Sequence, residues 1–368
     1  MPKISKLQFY AVLLILTTPL AFLITPGMLT SVLFNNAWMA IAAAIIPSIL
    51  IISMYIYIIR KNPRPFPLML EDCLGSIWGR IVAVVYSLFF LLTAGFIVRI
   101  FTDFIETNVL PGTPISVFIA VMLFTGFYVI KSGLQVLMRC LEIVVPIGVI
   151  FSLLIMLISL TENVDFSNLL PIVNLKPLGL VIGTAHVLVF IGKLMPVLTL
   201  AYFCEENVKI ETIIFKALAL FLLLILLPSL AVIMVFGDTL SNYLSFPTFS
   251  LVRSISIGKF IKNIDIVFIG IWILGIFGSM SISWFMFCYS LQQALRLKDY
   301  RFLAAPSALI IGVAAIQLAP NIIELQLLLT KVLPFVYAFF LILIPFFLFI
   351  ICLFKPDVKK NAPREETA

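Results

Sequence analysis

The sequence predicts an all-α integral membrane protein of about ten transmembrane helices, with both termini in the cytosol. Three observations point there. The chain is 63% hydrophobic and only 11% charged, with a mean hydropathy of +1.22. A soluble domain is ~45–50% apolar and ~25% charged, so most of this surface meets lipid rather than water. Apolar runs long enough to cross ~30 Å of hydrocarbon recur along the chain. Lys and Arg also fall unevenly on the two sides of those runs. The net charge of +7 does not mark a nucleic-acid binder, because the charges sit in short clusters between apolar runs, as juxtamembrane anchors do.

The spans are expected near 8–33, 36–59, 80–107, 115–131, 135–160, 177–204, 211–236, 264–294, 303–319 and 330–354. The first follows Lys3 and Lys6 and resembles a signal peptide. No small-x-small cleavage site follows and the run continues through Phe34, so it reads as a retained helix. The connections carry Pro, Gly, Asn and charge, as turns do. With the N-terminus inside, seventeen of the 24 Lys and Arg fall on the cytosolic side. Five fall outside (Lys176, Arg253, Lys259, Lys262, Lys331), and Arg99 and Lys193 lie within the membrane. That bias sets N-in and C-in. The long outer connection, about 237–263, is expected to fold back as a short amphipathic helix. Residues 1–354 form one transmembrane domain, with halves near 8–160 and 177–354, and 355–368 form a polar cytosolic tail.

The first and sixth spans carry breakers. Thr17-Thr18-Pro19 and Thr25-Pro26-Gly27 interrupt the first, and Gly183, Gly192 and Pro196 punctuate the sixth. Proline removes a backbone donor and clashes with the preceding turn. In a bilayer such a break survives where the freed groups face protein, water or a ligand. If the fold is five plus five, these are corresponding spans, and matched breaks point to a transporter-type binding site. Simple kinking is the competing reading.

Few charges lie at depth. Lys193 is about eleven residues, ~16 Å, from the cytosolic end of its helix, too deep for full snorkelling. Three roles fit it: an ion pair with Glu142 that locks two helices, a binding-site charge, or an ammonium standing in for a coupling cation. Arg99 and Asp103 are four apart on one helix face, with Glu106 beyond, and form either a local ion pair or an outer gate. Thr93 and Gly95 in the third span, and Gly275, Gly278, Ser279 and Ser281 in the eighth, suit close packing or a pocket wall. His186, the single histidine, reads as a packing residue. The five cysteines lack metal-ligand spacing, and no cofactor site is evident. The candidate ligand-contacting set is Thr17, Thr18, Thr93, Gly95, Phe190, Gly192, Lys193, Gly275 and Ser279.

Four stretches carry a resemblance. They are Arg99 and Asp103 followed by Leu110-Pro111-Gly112-Thr113-Pro114, Gly133 followed by Arg139-Cys140-Leu141-Glu142, Asn168-Leu169-Leu170-Pro171, and Asn36-Ala37-Trp38. In this order, at these helix ends, the chain resembles an endospore germination permease, the B subunit of a nutrient germinant receptor. That family belongs to the amino acid–polyamine–organocation transporter superfamily. The resemblance implies a five-plus-five inverted repeat of LeuT-like type with broken helices 1 and 6. It also implies residence in the spore inner membrane beside a membrane-embedded A subunit and a lipid-anchored C subunit. Lys193 stands where the family often has an acid, and Thr17-Thr18-Pro19 replaces the usual Gly-Thr, so ligand identity does not carry over.

Two functions follow. The first is a receptor subunit that binds a small nutrient, an amino acid by preference, and shifts a conformational equilibrium. The alternative is a proton- or cation-coupled amino acid permease of the plasma membrane. No Ser/His/Asp or Cys/His set supports an enzyme.

Overall fold

The computed structural model describes residues 3–160, 164–170, 176–241, 243–255 and 264–355. Pro171, Lys259, Lys262 and the tail after Lys355 lie outside the described residues. Helix accounts for the regular structure among the described residues, apart from an isolated bridge between Ile4 and Cys204.

The chain begins with a capping box. Gln8 N–H donates to Ser5 Oγ, and Ser5 N–H to Gln8 Oε1, which satisfies orphan donors at the start of α1, Lys6–Leu33. A single 3-10 turn leads into α2, Ala37–Lys61. The short α3, Phe66–Leu74, lies between the second and third spans. Then come α4 (Ser76–Asn108), α5 (Ile115–Ser132) and α6 (Leu134–Ser159), the third to fifth spans. Gly133, at φ 95°, turns α5 sharply into α6, a conformation that favours glycine. The sixth span is α7, Pro177–Gly192, followed after a break by α8, Val197–Leu200. The seventh is α9 (Ile210–Ser241), kinked at Gly237. The short α10, Pro247–Ser254, precedes the eighth span α11, Ile264–Leu295. The ninth is α12, Ala304–Gln317. The tenth is built from α13 (Ile322–Leu327), α14 (Leu333–Ala338) and α15 (Ile344–Phe354), joined by two π-helical turns.

Among the described residues, eight helical stretches are long and apolar enough to span a membrane. One of them, Lys6–Lys61, contains both α1 and α2, and a shorter apolar helix covers Arg301–Gln317. Ten spans result, as expected. The tenth begins earlier than the sequence suggested. Asn321 is its N-cap, accepting from Glu324 N–H at 2.9 Å, so Lys331 lies inside the span, within a π turn, and not in the outer connection.

The packing repeats when the halves are exchanged. The first span packs on the seventh as the sixth packs on the second, and the third and eighth lie together along their length. The two short helices correspond as well. α3 follows the second span on the face where the termini lie, and α10 follows the seventh on the far face. One element on opposite faces is the signature of an inverted repeat. α10 is the helix expected in the long outer connection, and α3 was missed because its nine residues merge with the turn around them.

The first, third, sixth and eighth spans form the centre. In α11 every residue from Gly278 to Tyr289 is buried. The second, fourth, fifth, ninth and tenth carry most of the outward apolar side chains, such as Ile46, Phe124, Ile143, Leu309 and Phe335.

Candidate functional site

Prolines shape the centre by freeing carbonyls four residues earlier. Side chains from other spans take up several of these. Pro26 frees Phe22 O, which accepts from the Thr248 hydroxyl of α10 at 2.7 Å. Pro334 frees Thr330 O, which lies 3.4 Å from His186 Nε2 of the sixth span. Pro345 frees Leu341 O, to which the Tyr55 hydroxyl of the second span donates. The Gly237 kink likewise exposes Met234 O, which accepts from Asp165 N–H at 3.0 Å and Asn168 Nδ2 at 3.2 Å. The Asn-Leu-Leu stretch thus anchors the approach to the sixth span.

The first and sixth spans answer their prolines differently. α1 is helical from Lys6 to Leu33, with Pro19 and Pro26 inside it. The break expected at Thr17-Thr18-Pro19 is therefore a proline site within an unbroken helix. The Thr17 hydroxyl donates back to Leu13 O and Leu14 O, and Trp272 Nε1 donates to Pro19 O at 2.9 Å. The sixth span does break. α7 stops at Gly192, and residues 193–196 are turns. Pro196 cannot donate to Gly192 O, which instead accepts from Met195 N–H at 2.8 Å. Leu194 and Val197 N–H also bond three residues back. The segment tightens rather than unwinds.

Lys193 is the first residue of this break. Its side chain is buried, at 6% exposure, and Nζ has no hydrogen-bond partner among the described residues. It lies over the rings of Phe190 and Tyr337, 5.5 and 5.4 Å from their centroids. The expected pairing with Glu142 is absent. Glu142 Oε2 accepts from Gln8 Nε2 at 2.9 Å, tying the start of α1 to α6. Two small cavities, each about 20 Å³, adjoin at Lys193 and Tyr337. Thr93, Ser279, Ser283, Phe89 and Phe90 line one; Phe190, His186 and Phe96 line the other. Each has room for about one water molecule.

Of the expected set, Thr93, Phe190, Lys193 and Ser279 come together here. Thr18 and Gly275 line a separate, largely apolar cavity of about 70 Å³ between the first, fifth and eighth spans. Thr17 is spent on its own helix. Gly95 packs on the ninth span, where an added Cβ would lie 3.2 Å from that of Ala314. Gly192 packs on the tenth, 3.0 Å from Leu341 Cβ by the same measure. Arg99 and Asp103 form a buried two-bond pair at 3.0 and 2.9 Å. Tyr337, Ser283 and Phe89 were missed. Tyr337 is the one tyrosine in the tenth span, and that polar tip on an apolar helix was its signal.

Aromatic rings close the far face. Phe104 meets Phe246, Phe249 and Trp272 at 5.2, 5.0 and 4.4 Å. On the terminal face, Ile4 exchanges backbone bonds with Phe203 and Glu205 at 2.8 and 3.1 Å, strapping the N-terminus over the end of the sixth span. Among the described residues no group of His, Cys, Asp and Glu is arranged to hold a metal ion.

A model of the spore germination protein family matches residues 3–323. The chain is a member of that family. Spore germination protein KB of Bacillus subtilis is 24% identical to this germination protein over 370 residues, covering 99% of this chain and 98% of that protein. The putative spore germination protein YfkT of the same organism is 27% identical over 59% of this chain and 60% of its own length. Among solved structures, the nucleobase-cation-symport-1 family transporter Mhp1 in a closed conformation superposes with a TM-score of 0.58 at 15% identity, covering 89% of this chain and 75% of Mhp1. Its inward-facing form gives 0.53. The germination protein thus has the LeuT-like transporter fold, and at this identity the likeness speaks to fold alone.

Proposed function

We propose that this germination-family protein is the ligand-sensing membrane subunit of a nutrient germinant receptor in the spore inner membrane, with both termini in the cytosol. A small nutrient, an amino acid by preference, binds between the first, third, sixth and eighth spans, against Tyr337 of the tenth. Binding shifts the balance between two helix arrangements by its difference in affinity for them. A membrane-embedded A subunit and a lipid-anchored C subunit read that shift. The observation that carries the reading is the broken sixth span, which sets Lys193, Thr93, Ser279 and Ser283 around a buried cavity in a germination-family chain.

The transporter fold favours a second reading, a cation- or proton-coupled amino acid permease. Spores lacking this chain, screened across single amino acids and sugars, separate the two. Loss of response to one nutrient with the others intact supports the receptor. Normal germination on every nutrient, with slower uptake of one amino acid by growing cells, supports the permease.

A further inference from the structure

Lys193 is a buried ammonium without a hydrogen-bond partner among the described residues. Removing such a charge from water is costly unless an opposite charge or hydrogen bonds replace the lost hydration. The Phe190 and Tyr337 ring faces offset part of that cost. The Glu142 carboxylate is held by Gln8, and neither cavity beside Lys193 is lined by an Asp or Glu. A cationic ligand would find like charge and no counter-charge. The hydroxyls on the wall add a second feature. Thr93 donates to Phe89 O at 2.9 Å and Ser283 to Ser279 O at 3.0 Å. With their protons spent, both oxygens are left as acceptors.

We infer that, in a helix arrangement that widens these two cavities into one, the site takes a small organic anion, whose carboxylate docks on Lys193 Nζ while its own donor group, an ammonium or hydroxyl, is accepted by Thr93 and Ser283. The inference rests on the reading that the nutrient binds at the sixth-span break. It adds that Lys193 selects ligands by charge, against amides, polyamines and neutral sugars.

The test uses the purified full-length chain and its thermal midpoint. The probes are the twenty amino acids, acetate, lactate and pyruvate, each against its carboxamide. The series is run in chloride and again in methanesulfonate. An acid is expected to stabilise the protein, with its amide needing roughly ten- to a hundred-fold more for the same shift, the loss of one charge-assisted bond. Lys193→Arg keeps that preference and Lys193→Met erases it. The proposal is overturned if no acid stabilises the wild-type protein, if amides match acids, if Lys193→Met still discriminates, or if stabilisation follows chloride alone. Should Lys193→Met not fold, the acid–amide comparison on the wild-type protein decides. Acid selectivity at Lys193 with normal germination of the deletion strain would retire the receptor reading and leave a carboxylate permease.

Discussion

The first and sixth spans are counterparts in the two halves and both contain proline mid-membrane, yet only the sixth breaks. The difference lies in how the backbone around the proline is bonded. In the first span, Thr248 donates to Phe22 O, the carbonyl freed by Pro26, Trp272 donates to Pro19 O, and the helix runs on through both prolines. In the sixth, Gly192 has no side chain, its carbonyl accepts from Met195 N–H and from the Tyr55 hydroxyl of the second span, and the next N–H groups follow the same three-residue spacing. The first span keeps its helix across both prolines, and the sixth tightens into successive three-residue turns at its own. The wound span serves as scaffold, and the broken one brings an ionisable side chain to the centre.

Restoring the missing donor should have the largest effect. Pro196→Ala returns an N–H to Gly192 O and removes the ~3 kcal/mol that proline costs a helix interior. The sixth span should then wind through, with nutrient response lost and the thermal midpoint unchanged or raised. An unchanged response would detach the break from the mechanism. Next is Tyr55→Phe, which removes the donor to Leu341 O and should cost about 1–2 kcal/mol, seen as a lower thermal midpoint. Smaller again is Thr248→Val, about 0.6 kcal/mol. In a Pro26→Ala background, where Phe22 O regains its own helix donor, that loss should vanish, and a double-mutant cycle measures the coupling. Least of all, Glu142→Gln should change stability by under about 0.5 kcal/mol, because Gln8 can still donate to it. A large loss there would revive a Glu142–Lys193 pair.

The ten spans and a short helix between the seventh and eighth were legible because hydropathy, charge placement and helix rise act locally along the chain. The partner of Glu142 was not. Gln8 and Glu142 are 134 residues apart, and depth alone cannot say which polar group at the same level faces which. The state of the first span was hidden for a similar reason. Its prolines are visible, but Thr248 and Trp272, which stabilise it, come from distant elements. Tyr337 was overlooked because the tenth span was not among those expected to line the pocket, whereas its ring lies beside Lys193.

The most direct measurement of the central claim, that the nutrient sits at the sixth-span break, is equilibrium binding of the labelled nutrient identified by the germination screen. Purified wild-type protein is compared with Ser279→Leu, which fills the cavity wall beside Lys193. The account predicts saturable binding to the wild-type protein and none to the variant, with both monodisperse and equally inserted in membranes. Equal binding to both would contradict it and move the site elsewhere in the fold.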